Sequence, residues 1–484
     1  MSAYWKTVWV LFGIFVVANL TFLHRVPGLM GDEASEGENV YQLLQADHLV
    51  IQGERSYIGP LIDYVRVPFI QTFGYTPLAL RMIVLLASLA TFWLAASVLR
   101  TMFGEVPALF ALALGFFSPT YLTQERIGWA IALFPFFLFL ILYLIPLQER
   151  NYGRVLLAGL AAGIGLSNHI LFLPTLVAVV VVGVIAGMLP ANSAGSSPRF
   201  LSRLKGVLAY WPGLVGFVAG FIMQFWVLVN YREDQGDPEA MAQFFSDRFA
   251  DLPSVLPFVL SGSSYVARYT GVEFSSGVIW LVTAAVVLLG LIALTFSSRR
   301  KMAWLWVLGM AIHLVVLMLM VDRFTLRYFV MFVFAAWMLA GVGVGALVER
   351  FLPSLHLRSV SKVLPIGVAT CLVLWSVFAV LLPFLKTGGS TADFSLGNRT
   401  DSAAALVDTR PLVECLRGKG PASSEKIHIW NRMQFLSHEY SDLQVLPQDD
   451  SSHAQWLVHY RAAKQPDPGD LCPELAHFRV ILNQ

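Results

Sequence analysis

Runs of about twenty apolar residues, broken by turns rather than by charge, recur through most of this chain and constrain its fold more than any motif does. A bilayer core is crossed by roughly 17–25 apolar residues in helical form. Candidate spans lie at 7–23, 79–99, 107–121, 128–147, 155–167, 171–189, 207–229, 278–297, 303–321, 328–348 and 363–384, about eleven in all. The stretches 107–121 and 155–167 are short. Taken as one helix, residues 155–189 would run about 52 Å, too long for one crossing. Asn168, His169 and Pro174 sit where that stretch must turn, so we read a helical hairpin with its broken backbone covered by protein or lining a wet cavity.

Composition agrees. Only 13% of the 484 residues are charged and 57% are hydrophobic, against about 25% charged in soluble domains. That excludes a soluble globular enzyme, a disordered chain and a disulfide-dense miniprotein. A net charge of +2 provides no basic field for nucleic acid, so no nucleic-acid partner is expected. Three cysteines are too few for a metal-cluster framework. The expected class is an all-α polytopic membrane protein. Arg25 and Pro27 follow the first span and no small-residue cleavage site does, so this span is read as a retained helix rather than a signal peptide.

With the N-terminus in the cytoplasm, the short inner loops hold Lys6, Arg100, Arg150, Arg154, Arg199, Arg203, Lys205, Arg299, Arg300, Lys301, Arg350, Arg358 and Lys362. The positive-inside rule fixes this orientation. Residues 1–384 then form the transmembrane domain, with outer loops at 24–78 and 230–277. An odd number of spans puts 385–484 outside as a small soluble α/β extracytoplasmic domain behind a Gly388-Gly389-Ser390 linker. Cys415 and Cys472 lie in that domain, where an oxidising compartment favours their pairing; two separate thiols are the alternative. The compartment reads as the bacterial inner membrane with the periplasm outside. An endoplasmic reticulum protein has the same topology, with Asn398-Arg399-Thr400 as a glycosylation acceptor.

Ionisable residues near a bilayer are costly, so their clusters mark candidate chemistry. The loop 24–78 opens on Asp32-Glu33, and apolar residues at 40, 43 and 44 have helical spacing, which predicts a surface helix with Asp32 near its positive N-terminal end. A solvated acidic loop with Asp32 as a cap is the plainer reading. Glu125-Arg126 sits in an outer turn, where a surface ion pair is the plainer reading. Arg323, Arg327 and Tyr328 precede the tenth span on the outer side, against the basic-inside trend. Arginine suits bidentate phosphate binding, and snorkelling to headgroups is the alternative. Arg81 at the mouth of the second span joins this group. His169 lies at the predicted outer turn, where packing is the plainer role.

This ordered set resembles the GT-C glycosyltransferases, in particular the protein O-mannosyltransferase and lipid A aminoarabinose transferase group (glycosyltransferase family 39-like). The resemblance covers the first two thirds best. It rests on Asp32-Glu33 followed by surface helices at 35–47 and 57–73, on Thr76-Pro77 leading to Arg81, and on Phe117-Ser118-Pro119 through Glu125-Arg126. Gly165 to Pro174 is similar to the broken helix pair, and Arg327-Tyr328 to the Arg-Tyr that opens a late helix. Where aminoarabinose transferases carry a lysine in a Glu-Lys-Pro segment, this chain reads Ile58-Gly59-Pro60, so that donor-phosphate contact is missing.

The resemblance implies transfer of a monosaccharide from a polyprenyl-phosphate donor to a lipid, glycan or protein acceptor, with inversion. It implies Asp32 as the base and Glu33 as an orienting acid at the catalytic centre. Arg327 is the first choice for the leaving phosphate, with Arg81, Arg323 and Tyr328 as partners. Glu125, Arg126 and His169 are acceptor-side or supporting residues. Some GT-C enzymes use a divalent metal such as Mg or Mn, and Asp32 and Glu125 are the candidate ligands here. The rival readings are a transporter or flippase of lipid-linked sugars, a membrane glycan polymerase or ligase, and a scaffold. No inverted repeat of the first half is visible in the second, which speaks against the transporter.

Overall fold

The computed structural model describes residues 2–50, 58–145, 151–188, 211–230, 250, 252–270, 274–321, 326–351, 360–390, 406–419, 425–429, 433–446, 451–460, 469–475 and 478–482. Arg323, Asn398 and residues 231–249, 251 and 271–273 of the outer loop 230–277 lie outside these residues.

Each predicted apolar stretch carries a helix. The first, α1, is Ala3–Leu20; the outer loop then gives α2 (Gly31–Gln45) and α3 (Leu61–Phe73), close to the two expected surface helices. There follow α4 (Pro77–Phe103), α5 (Glu105–Phe116), α6 (Pro119–Gln124), α7 (Phe134–Leu144), α8 (Tyr152–Asn168), α9 (Leu173–Met188) and α10 (Trp211–Asn230). The second half of the bundle holds α11 (Ser263–Thr270), α12 (Ser276–Phe296), α13 (Arg300–Met320), α14 (Val330–Phe351) and α15 (Val360–Ser376). A π turn at Val377–Leu381 joins α15 to α16 (Leu382–Thr387). Among the described residues, six helices are long and apolar enough to cross a membrane, and further apolar helices are shorter.

The expected span 107–121 is two helices. Pro119 stands at the first position of α6, and the Ser118 hydroxyl accepts from the Tyr121 N–H at 3.3 Å, so α5 ends and a new capped helix begins. The expected break in 155–189 is present: α8 and α9 are separated by a 3-10 turn at Ile170–Phe172, with His169 extended at its start. Helix α8 packs on α10 through small residues. A Cβ placed on Gly159 would lie 1.8 Å from the Gly213 carbonyl oxygen, and one on Gly216 would lie 2.1 Å from that of Leu156. Only glycine permits this backbone approach, and close packing replaces the hydrophobic force that lipid cannot supply between helices.

Outside the bundle, β1 (Gly389–Ser390) pairs antiparallel with β2 (Leu406–Val407), and α17 (Arg410–Lys419) follows. Strands β3 (Lys426–Ile429), β4 (Gln444–Val445), β5 (Trp456–Tyr460) and β6 (Phe478–Leu482) form a sheet in the order β4-β3-β5-β6. Helix α18 (Leu436–Glu439) lies between β3 and β4 in sequence. The apolar core of this domain is continuous with Leu29, Ala34, Val40, Ile70 and Leu80 of the outer loop and α4, so it is rooted in the bundle rather than tethered by the Gly388-Gly389 linker alone.

Cys415 and Cys472 are joined, with a Cα–Cα distance of 6.2 Å and a sequence separation of 57. Closing a loop of that length contributes about 4 kcal/mol by chain entropy. The C415A/C472A variant is therefore expected to unfold its outer domain several degrees below the wild type when proteolytic cleavage within 406–482 is followed on heating. An unchanged midpoint would count against a stabilising bridge.

Candidate active site

The site is built on α2. Two acids in its first turn suit the partial positive charge of a helix N-terminus, and the Met30 N–H donates to Glu33 Oε2 at 3.4 Å. Helical spacing puts Glu33 and Glu36 on one face, directed into the protein. Asp32, one residue earlier, is turned to a different side of the helix.

Glu33 meets Arg81 from α4, and both side chains are fully buried. Arg81 Nε and Nη2 donate to the two Glu33 oxygens at 2.7 Å each, a bidentate fork. Its other N–H groups donate to the carbonyls of Leu23, Pro27 and Gly28 at 2.8, 3.0 and 3.2 Å. A guanidinium has five N–H donors, and all are engaged here, so Arg81 has none left for a donor phosphate. The expected phosphate role of Arg81 is corrected to a structural one. Its carboxylate partner is Glu33, not Asp32.

Glu36 is held by Arg66 of α3 at 2.5 Å, and Arg66 also donates to Asp63 at 2.9 Å and to the Gly128 carbonyl at 2.7 Å. The Gly128 N–H donates to Glu33 at 2.8 Å and the Ala130 N–H to Glu36 at 3.2 Å. The Asn168 amide donates to the Ala130 carbonyl at 2.9 Å. These bonds pin the segment 128–130 beneath α2 and fix Trp129 beside the site. Arg66, Glu36, Asp63, Asn168 and Trp129 were missed by sequence reasoning. The i,i+3 spacing of Glu33 with Glu36, and of Asp63 with Arg66, was the signal that could have found four ionisable groups facing inward.

Asp32 forms an ion pair with Arg327, which lies in the 3-10 turn Leu326–Phe329 that opens α14. The Arg327 guanidinium also lies 5.4 Å from the Trp129 ring and 5.5 Å from that of Tyr328. The aromatic faces favour the cation in this position. Their side-chain exposures, 23% for Asp32 and 14% for Arg327, distinguish this pair from the sealed Glu33–Arg81 pair: a substrate can reach one and not the other.

His169 stands in the turn beyond α8. Burial, and then Arg327, push its imidazole down to about 3, so it is neutral; its Nδ1 accepts from the Leu171 N–H at 3.1 Å, which leaves the proton on Nε2. Arg126 does not pair with Glu125. It donates to the carbonyls of Val26 and Ala18 at 2.9 and 2.7 Å and to those of Asn19 and Thr21, and so closes the C-terminal end of α1. Glu125 is enclosed beside Ser88 and Tyr121, and burial raises its carboxyl well above the usual carboxylate range. Asp32 is directed to Arg327, so it and Glu125 have different neighbours. Among the described residues, the one group of three potential ligands within reach of each other is Cys415, Cys472 and Glu474, and its cysteines form the disulfide. The expected metal role of Asp32 and Glu125 is therefore not carried by this geometry, and no step below runs through a metal.

No protein-family model matches the chain, and no curated protein matches its sequence. Solved structures do match. ArnT from Cupriavidus metallidurans in the apo state has a TM-score of 0.54 at 13% identity, over 94% of this chain and 92% of that one. The same protein bound to undecaprenyl phosphate gives 0.51 at 14%, over 93% and 87%. The chain shares the fold of these structures. The oligosaccharyltransferase AglB from Archaeoglobus fulgidus, in complex with an inhibitory peptide and a dolichol-phosphate, gives 0.50 at 12%, over 94% and 69%. Within this fold, α2 and the opening of α14 lie far apart in sequence, and their meeting is what brings Asp32 and Arg327 together.

Proposed function

We propose that the protein is an integral-membrane glycosyltransferase that moves a monosaccharide from a polyprenyl-phosphate donor to a lipid, glycan or protein acceptor on the outer, periplasmic face of a bacterial inner membrane. The observation that carries this reading is the reachable Asp32–Arg327 pair on a GT-C fold. The undecaprenyl phosphate held by ArnT and the dolichol-phosphate held by AglB supply the donor class.

The chemistry follows from the pair. Asp32 accepts the proton of the acceptor hydroxyl as that oxygen attacks the anomeric carbon from the face opposite the leaving group, which inverts the centre. The bond from that carbon to the phosphate oxygen breaks, and negative charge grows on the lipid phosphate. Arg327, held against Trp129 and Tyr328, stabilises this charge in a partly dry pocket. Donor phosphate takes over the guanidinium that rests on Asp32, and the carboxylate turns to the acceptor. Neutral His169 adds no competing positive charge.

The test uses the purified protein in vesicles with a polyprenyl-phosphate sugar labelled in the sugar. Glycosyl transfer releases polyprenyl phosphate and labels the acceptor, whereas a transporter moves the label without cleaving it. Arg327→Ala is expected to raise the donor KM by about 10- to 100-fold, the value of a charge-assisted hydrogen bond, and to change the acceptor KM by less than about threefold. Equal effects on both substrates would count against the phosphate role.

A further inference from the structure

We propose that the outer sheet domain acts as a clamp on α2 that positions Asp32, with Phe435 and His438 as positioning residues rather than parts of an acceptor-binding surface. The inference rests on the glycosyl-transfer reading for its catalytic consequence, and on geometry alone for the clamp.

A helix of 15 residues is marginal by itself in water. The ion pairs of Glu33 and Glu36 hold the inner face of α2. The outer domain grips it at two further places. Ahead of the helix, Leu29 forms an antiparallel bridge with Val407, and Gly28 lies so close to that strand that a Cβ on it would stand 2.0 Å from the Val407 carbonyl oxygen. Arg25, just upstream, donates to Asp408 at 3.1 Å. Past the first turn, the buried Phe435 ring lies against Gly37, where a Cβ would stand 2.5 Å from the ring. His438 bonds Glu38 at 2.7 Å and stacks on Tyr41, with ring centroids 3.7 Å apart and planes 16° apart.

Asp32 lies between these two grips. Neither grip touches Asp32, so neither acts on the reacting atoms. Both remove freedom from the backbone that carries it. Proton transfer needs the carboxylate at hydrogen-bond distance from the acceptor oxygen, and a displacement of about 1 Å costs on the order of a hundredfold in rate. Continuity of the apolar core from Val407 and Phe435 into Ala34, Val40 and Leu80 makes the domain and the helix move as one body.

The test uses the full chain in detergent, with His438→Ala and Gly37→Ala as the loosening variants and Phe435→Leu as the conservative one. The His438 ring makes its contacts with Glu38, Tyr41 and Tyr75 rather than with the sheet, so its truncation is expected to leave the sheet folded. The clamp predicts that amide exchange over 31–45 speeds up by about tenfold or more while α4 is unchanged. It also predicts that kcat falls about tenfold with donor and acceptor KM within about threefold, and that Phe435→Leu stays near the wild type. Unchanged exchange over α2 would overturn the clamp. A raised acceptor KM with intact kcat would overturn it too, and would make the domain an acceptor-binding surface. If the wild type cleaves no polyprenyl-linked sugar, the transfer reading fails while the exchange measurement still judges the clamp.

Discussion

Replacing Asp32 by asparagine is expected to lower turnover by about a thousandfold or more while the protein still folds and still binds the donor. A positioned general base contributes roughly 10²–10⁴ in rate. Asparagine keeps the size and hydrogen-bonding shape of the side chain but cannot take a proton from an acceptor hydroxyl. The asparagine oxygen can still accept from Arg327, and the pair is less enclosed than Glu33–Arg81, so the loss of stability is expected to be smaller than for that sealed pair. The freed Arg327 remains available to phosphate. The measurement is single-turnover transfer with donor saturating, alongside a donor-binding titration and a thermal midpoint. Near-normal turnover in Asp32→Asn would reject the base assignment, whatever the other measurements show.

Arg81→Met is expected to fail differently, through stability. Glu33 and Arg81 are fully buried, and removal of one partner leaves an uncompensated charge, which costs about 3–5 kcal/mol. Three backbone carbonyls between Leu23 and Gly28 lose their donors in the same step. Low yield and a strongly lowered midpoint are the expected result. The double variant Glu33→Gln with Arg81→Met removes both charges and is expected to recover part of the loss. The comparison of the three midpoints reads the coupling directly. A stable Arg81→Met protein that has lost only donor affinity would restore the phosphate role that the geometry withholds.

The contrast between these arginines shows how far the sequence can be read. Long apolar runs announce spans because bilayer thickness leaves few alternatives, and each expected run carries a helix. Asp32 and Arg327 were legible because an acidic pair directly follows the first span and an arginine ahead of a late span goes against the basic-inside trend. The role of Arg81 was not, since it depends on three carbonyls of a turn with no periodicity. Glu36, Asp63 and Arg66 looked like the solvated face of surface helices; only the placement of Gly128 and Ala130 against them shows that this face is interior. The split of 107–121 was written in Ser118-Pro119, a cap followed by a helix-starting proline, but a hydropathy window passes over it. Contact between the outer domain and the α2 region was invisible because the elements that make it, β2, the 3-10 turn Met433–Phe435 and α18, are two to four residues long and far away in sequence.

The shared core of α2 and the sheet domain also bears on how the protein matures. Ribosomes deliver α2 near the start of synthesis and β2 to β6 near its end, with the whole bundle inserted in between. Through that interval Ala34, Val40 and Leu80 have no cover, and the carboxylate beside them has no settled place. On the clamp reading, a chain that ends before β2 is expected to insert its bundle yet leave α2 without its outer cover.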